Sequence, residues 1–269
     1  MQKYDKDKLK KYEIEILDYF VELCEKNNIT YYLAYGTLLG AVRHKGFIPW
    51  DDDIDVHIKP EEYYKLKKIA IREKNDNFFY QSLETEKYYN LIFDKIRMKN
   101  TKAVESKNEH DKINKGIYID IFPLIPYPNK KKDQASMWKK MKFLKLLIEA
   151  DLVDKTKYNN YGKLGKKLSN FLKLIPRKIR NLISENILKT ILLYKGEYDN
   201  YICPIDEKTF DRKIFNEVAK VTFENKKYNS PKNYDKYLTS IYGNYMQLPP
   251  IEDRKEHSFI EVEFDVKGE

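Results

Sequence analysis

The run Trp50-Asp51-Asp52-Asp53-Ile54-Asp55-Val56-His57-Ile58 constrains this chain more than any other stretch. Ile54, Val56 and Ile58 alternate with Asp53, Asp55 and His57, the two-residue period of a strand with one apolar and one polar face. Asp53 and Asp55 therefore share a face, and Asp52 alternates to the opposite side as the dispensable member. Two carboxylates held side by side repel unless a cation sits between them, and hard oxygen donors suit Mg²⁺ or Mn²⁺. A solvated acidic turn ahead of a strand edge would account for the same residues without chemistry.

Around this run the pattern is α+β. Helical spacing predicts a first helix over Asp7 to Glu25, followed by a strand over Tyr31 to Tyr35. Gly36-Thr37 reads as a sharp strand-to-helix turn in which Thr37 caps Leu38 to Arg43, and Pro49 prevents that helix from continuing. Pro60 begins a helix to about Glu73, and strands are expected at Phe78 to Leu83, Leu91 to Met98 and Ile117 to Phe122, the last ended by Pro123 and Pro126. Residues 130 to 195 read as almost wholly helical, with breaks near Asn159 to Gly162 and at Pro176. A strand follows at Phe215 to Glu224, and a helix after Pro231 runs to Tyr242. The implied organisation is a catalytic core over 1–129, a basic helical insertion over 130–196, and a C-terminal part, 197–269, that completes the core.

Asp120 is the one carboxylate in the otherwise apolar strand Ile117 to Phe122, where a lone buried acid needs a metal or a cationic partner. Beside Asp53 and Asp55 it would complete a three-carboxylate site; a structural Asp capping a neighbouring turn is the alternative. The turn Gly36-Thr37-Leu38-Leu39-Gly40 offers a helix N-terminus to phosphate oxygens. A Gly-Thr turn followed by an Asp-apolar-Asp-apolar strand resembles the nucleotidyltransferase superfamily that includes polymerase β, although residues 38 to 52 form a longer gap than that pattern has.

The gap carries a second resemblance. The continuous block from Tyr35 through Gly40-Ala41-Val42-Arg43-His44-Lys45-Gly46-Phe47-Ile48-Pro49 to Val56 resembles the signature of LicD proteins. Asp120-Ile121-Phe122-Pro123-Leu124 is similar to a further element of that family. So are Phe223-Glu224 and the stretch from Tyr234 through Tyr242-Gly243-Asn244-Tyr245 to Arg254 and His257. The resemblance implies a nucleotidyltransferase-like small mixed sheet flanked by helices. It also implies a metal-dependent phosphotransferase that moves phosphocholine, or a related phosphoalcohol, from a CDP-linked donor such as CDP-choline. The acceptor would be a hydroxyl of a cell-surface glycan or teichoic acid precursor, itself lipid-linked. Asp53, Asp55 and Asp120 become the catalytic metal ligands, with Asp51 a further ligand or a support. Gly36, Thr37, Arg43, His44, Lys45, Lys95, Arg97, Arg254 and His257 become the residues that hold the donor. Lys95 and Arg97 alternate along one strand, a pattern that fits a plain solvent face equally well. Trp50 and Tyr35 are eligible to face a quaternary ammonium, but aromatic residues beside a strand are more often core. Some relatives carry a cysteine-based zinc element, which Cys24 and Cys203 are too few to build.

The formal charge of +9 is regional. Residues 130 to 180 hold sixteen Lys or Arg against four Asp or Glu, so the rest of the chain is slightly acidic. That distribution argues against nucleic acid as the partner, because the basic residues lie away from the acids of the site. Stretches such as Met141-Lys142-Phe143-Leu144-Lys145-Leu146 and Leu168 to Ile175 interleave cations with apolar residues. They suit either peripheral contact with an anionic membrane, with Lys139, Lys140, Lys142 and Lys145 as the contacting cations, or a helical lobe with a solvated face. With a charged N-terminus and no long apolar run, the chain is expected in the cytoplasm. Two other readings remain: a nucleotidyltransferase that releases pyrophosphate, and a non-catalytic basic module that binds RNA or membrane.

Overall fold

The computed structural model describes residues 4–106, 109–152, 162–203, 207–254 and 259–266. Its centre is a five-stranded mixed sheet in the order β1-β2-β6-β4-β3, built from β1 Tyr31–Leu33, β2 Asp55–Ile58, β3 Phe78–Gln81, β4 Asp94–Met98 and β6 Tyr118–Pro123. β2 and β6 run parallel, and the other neighbours in this sheet are antiparallel. Ile54, Val56, Ile58, Ile96, Ile119 and Ile121 enter the core with Leu9, Ile16 and Phe20 of α1 Lys6–Lys26 and Tyr63 and Leu66 of α3 Pro60–Glu73.

Local chemistry accounts for both helices. Asp5 caps α1 by accepting from the Lys8 N–H at 2.9 Å, and the chain leaves the helix at Asn27 before Asn28 turns to a positive φ of 52°. α3 starts on Pro60 with Glu61 and Glu62 in its first turn, where a fixed φ and negative charge both favour a helix N-terminus. Cys24 and Cys203 are buried thiols.

α2 Tyr35–Arg43 begins earlier than the Gly-Thr turn suggests. Ala34 is its N-cap, and Thr37 lies inside the first turn, so the Thr37 hydroxyl does not cap but accepts from the Asp55 N–H at 2.8 Å. β6 ends at Pro123 as expected, but Pro126 ends nothing and lies within a further strand, β7 Ile125–Tyr127. Prolines are tolerated where the missing N–H is not needed by a neighbouring strand. Short strands with no readable period also escaped the sequence pattern: β5 Lys102–Glu105, β8 Asn200–Ile202 and β9 Thr209–Asp211. β7, β8 and β9 form one small sheet, and β12 Phe259–Glu263 pairs with β5, so the C-terminal part is stitched to the core at two edges.

β10 Val218–Phe223 and β11 Lys226–Pro231 form a hairpin around Glu224 and Asn225, whose φ values of 46° and 65° match a two-residue turn of the type I′ class. The Glu224 N–H donates to the Lys45 carbonyl at 2.9 Å, and its carboxylate accepts from the Phe47 N–H at 3.0 Å. The hairpin tip thereby holds the loop between α2 and the acidic run. Gly40 lets that loop approach, since a Cβ there would stand 2.4 Å from the Gly46 carbonyl oxygen.

The helices α4 Lys131–Glu149, α5 Lys163–Leu172 and α6 Arg177–Leu192 form the insertion. Leu144, Ile148, Leu188, Ile191 and Leu192 join the main core, so α4 and α6 are architecture rather than an appended arm. A buried ion triad reinforces the join. Lys67 of α3 lies 2.8 Å from Glu185 of α6 and 3.3 Å from Asp94 of β4. Burial alone would lower the Lys67 ammonium, but Asp94 and Glu185 hold it above its ordinary value. Removing it strands two buried carboxylates, so Lys67→Met is expected to cost about 3–5 kcal/mol in urea unfolding. A loss below about 1 kcal/mol would show that the triad contributes little.

Candidate active site

Strand register assembles the site. Asp55 lies across from Asp120, and Asp120 lies across from Lys95. The next row pairs His57 with Phe122, and the row on the other side pairs Tyr118 with Arg97. The alternation that set Asp53, Asp55 and His57 apart from the isoleucines thus becomes one polar row across three strands.

Asp55 is 8% exposed. Burial first, then the charges of Asp53, Asp120 and Asp51, push its carboxyl well above the ordinary carboxylate range, and Lys95 pulls the other way. Lys95 is itself buried, and its ammonium is ion-paired with Asp120 while lying 3.5 Å from the Tyr118 ring centroid. Burial lowers Lys95, and Asp120 opposes that shift. Neither Lys95 nor Arg97 forms a solvent face. Arg97 is buried, donating to Gln81 at 2.5 Å and to the Gly116 carbonyl at 2.6 Å, so its guanidinium braces the strands instead of facing an open cleft.

Asp52 does point away from this row, accepting from the Tyr4 hydroxyl at 2.9 Å, but it is buried rather than solvated. Asp51 turns toward the start of α2. A Cβ on Gly36 would stand 2.3 Å from the Asp51 carboxylate, so any larger residue there would push that side chain aside. Tyr35, just before it, holds a φ of 43°, a left-handed conformation that costs an ordinary residue on the order of 1 kcal/mol. Its ring packs with His57, Phe122 and Tyr237, and its N–H donates to the Tyr237 hydroxyl. Buried among these rings, the His57 imidazole is held down to about 3 and is neutral at every ordinary pH.

A carboxylate that the pattern missed completes the electrostatics. Glu13 of α1 is 2% exposed, and burial followed by the charges of Asp53 and Asp52 raises it well above its ordinary range. It was legible as a Glu in the core-facing series Leu9, Glu13, Ile16, Phe20.

The donor-side residues divide. Arg43, Trp50, Asp51, Tyr245 and Asp253 line a cleft of about 510 Å³. Arg43 donates to the Tyr245 carbonyl at 2.7 Å and to the His44 ring, and the Arg254 guanidinium lies 4.6 Å from the Trp50 ring centroid. Burial lowers Arg43, and the nearby Arg254 lowers it further while Tyr242 opposes the shift. Burial and Arg43 likewise keep His44 below its ordinary value. Lys45 turns away, donating to the Val42 carbonyl in the last turn of α2. His257 lies outside the described residues. Trp50 is a cleft wall contacting Arg254, whereas Tyr35 is packed into the aromatic cluster.

The chemistry of the donor set bears on a divalent cation. The charges of Asp51, Asp53 and Asp120 converge on the buried Asp55, and Lys95 supplies the positive charge beside Asp120. Among the described residues, no three His, Cys, Asp or Glu side chains already stand in metal-binding proximity. The crowding of like charge still fits a cation, with Lys95 standing in for part of its charge.

Residues 28–154 match the family described as LicD/FKTN/FKRP, nucleotidyltransferase domain. The chain is 30% identical over 265 residues to the lipopolysaccharide cholinephosphotransferase LicD of Haemophilus influenzae, covering 93% of this chain and 94% of that protein. The chain belongs to the LicD family. More distant LicD-family similarity links it to the ribitol 5-phosphate transferase FKRP of mouse, 28% identical over 112 residues, which is 42% of this chain and 20% of that protein. An uncharacterized protein of Rickettsia prowazekii is 37% identical over 107 residues, 40% of this chain and 36% of that one. The matched family region contains every acid of the polar row and ends within the helical insertion.

Proposed function

We propose that this chain is a metal-dependent phosphotransferase with a nucleotidyltransferase-like core. It moves phosphocholine, or a related phosphoalcohol, from a CDP-linked donor to a hydroxyl of a cell-surface glycan or teichoic acid precursor. The observation that carries this reading is the row Asp55, Asp120, Lys95 beside a cleft lined by Arg43 and Trp50, with Arg254 against the Trp50 ring. The names of its LicD and FKRP relatives supply the class of group transferred. Lipid-linked acceptors would place the work at the inner face of the cell membrane.

Phosphoryl transfer asks a protein mainly for positioning and charge neutralisation. Arg43 and Arg254 hold the donor diphosphate in the cleft, and Trp50 fixes Arg254 from behind. Asp53, Asp55 and Asp120, with Asp51 as ligand or support, would hold Mg²⁺ or Mn²⁺, which when bound neutralises charge on the phosphoryl oxygens. Asp120 takes the proton of the attacking hydroxyl as the new acceptor–phosphorus bond forms and the bond to the nucleoside monophosphate breaks. Lys95 positions Asp120 for that role. The acceptor approaches over Phe93, whose ring packs tilted against Phe122 and borders a second cleft of about 440 Å³ lined by Trp138, Met141 and Lys142.

Incubation with CDP-choline, CDP-glycerol or CDP-ribitol, and separately with nucleoside triphosphates, tests the reading. Release of CMP from one CDP-alcohol with Mg²⁺ is the expected result. Release of pyrophosphate from a triphosphate, with no CMP from any CDP-alcohol, would instead make it a nucleotidyltransferase. Arg254→Ala is expected to raise the donor KM by about 10–100-fold with a smaller change in kcat, because it removes a charge-assisted contact made in the bound donor as well as in transfer. Initial-rate kinetics check this, and an unchanged KM would remove Arg254 from the donor site.

A further inference from the structure

The surface most at odds with a freely soluble chain lies at the α5–α6 turn, away from the polar row. Leu168, Phe171, Leu174, Ile179 and Leu182 are between 40% and 78% exposed, five large apolar side chains within fifteen residues. Their inner neighbours explain why they face outward. Ser169, which donates to the Ala150 carbonyl at 3.0 Å, and Leu172, which packs with Leu146 and Leu147, are the buried side of α5. On α6, Arg180, Asn181 and Ser184 face inward while Ile179 and Leu182 stay out. Scattered exposed leucines need no explanation, but a cluster on one turn does.

Charge identifies what covers it. From residue 162 to residue 184 the chain contains no Asp or Glu and carries five Lys and two Arg. The two arginines are used internally. Arg177 donates to the Ile148 and Tyr89 carbonyls at 2.6 Å each and to Asp151, and Arg180 reaches Asp151 at 2.7 Å. Lys166, Lys167 and Lys178 are exposed around the apolar side chains. A second copy docked patch to patch would set these lysines against their own kind, which disfavours a symmetric pair. No described helix is long and apolar enough to cross a membrane, so insertion would be shallow.

We propose that the α5–α6 turn seats the chain on an anionic phospholipid surface, with Phe171, Leu174 and Ile179 entering the acyl boundary and Lys166, Lys167 and Lys178 at the headgroups. Of the two stretches that the charge pattern suggests, this selects the one around Leu168 to Ile175 over the one on α4. On α4 the apolar residues Met137, Leu144, Leu147 and Ile148 are buried in the protein and Phe143 is the one exposed large apolar side chain, so Lys139, Lys140, Lys142 and Lys145 flank no comparable apolar cluster.

The inference goes beyond the proposed activity, and its test needs no turnover. The full chain is sedimented with phosphatidylcholine vesicles and with vesicles enriched in phosphatidylglycerol, at low and high salt. Wild type is expected to sediment only with the anionic vesicles and to be released by salt. Phe171→Ser with Leu174→Ser is expected to weaken binding by at least about tenfold, because two apolar side chains no longer enter the bilayer. Lys166→Gln with Lys167→Gln and Lys178→Gln should weaken it by roughly a hundredfold. The four α4 lysines changed to Gln should bind within a few-fold of wild type. Unchanged thermal melting confirms that each variant is folded, as expected for exposed positions. Wild type that stays in the supernatant with anionic vesicles at low salt overturns the proposal. So does binding that survives the serine variant, or a concentration-dependent dimer that the same variant abolishes.

Discussion

Asp55→Asn is expected to abolish transfer while making the metal-free protein more stable. Turnover should fall by about 10³-fold or more, since on the proposed reading the change removes one carboxylate of the set that would hold the charge-neutralising cation. Stability should move the other way. In the folded chain burial, then Asp53, Asp120 and Asp51, raise the Asp55 carboxyl well above its ordinary range. An acid raised on folding binds its proton more tightly in the folded state. Wild-type stability therefore declines as pH rises from the ordinary carboxylate range toward the folded-state value. Asparagine carries no such penalty. In chelator at neutral pH the variant should melt a few degrees higher, at about 2–4 °C per kcal/mol, and the gain should vanish in acid. Asp53→Asn should be as damaging to turnover, whereas Asp52→Asn, beside Tyr4 and off the polar row, should be far milder. An Asp55→Asn protein that melts below wild type at neutral pH, or one that still turns over, would refute the crowded-acid description of this site.

Asp120→Asn is expected to lose activity by a similar factor but with the opposite effect on stability. Lys95 is buried and ion-paired with Asp120, so the substitution leaves an ammonium without its partner carboxylate. Breaking a buried pair from one side costs up to about 3–5 kcal/mol. The pH dependence identifies the cause. Burial lowers Lys95 below its ordinary value even with Asp120 present, and without Asp120 it should fall further. A base lowered on folding sheds its proton more easily in the folded state, so stability rises with pH through that window. The deficit of Asp120→Asn against wild type should shrink as pH is raised from neutral toward the ordinary lysine range. Lys95→Met in the same background should restore stability without restoring turnover. A deficit that stays constant with pH, or a double variant no more stable than Asp120→Asn, would show that the loss has another origin.

These two carboxylates lie side by side, and nothing in the linear pattern distinguishes their effects on stability. Each appears as an acid in an apolar strand, and the sequence alone suggests that either could be replaced by Asn with the fold intact. The difference comes from their third neighbours. Asp55 faces mainly other acids, whereas Asp120 also faces Lys95 from β4.

Local sequence was enough wherever a structure is decided within a few residues. The extents of α1 and α3 follow from their caps, the Pro60 start and the spacing of Leu9, Ile16 and Phe20, because helix hydrogen bonds close four residues apart. The common face of Asp55 and His57 follows from the two-residue period of β2, and the signature block from Tyr35 to Val56 was recognisable as a continuous string. Tertiary structure decided what each face meets. Period shows which side chains share a face but not what covers it, so Lys95 and Arg97 were ambiguous until β3 and β6 flanked their strand and Tyr118 met both cations. The parallel pairing that brings Asp55 to Asp120, and the return of the chain that sets Arg254 on Trp50, join residues far apart in sequence. Such contacts depend on closing long loops around one shared core, a condition that no local window of sequence contains.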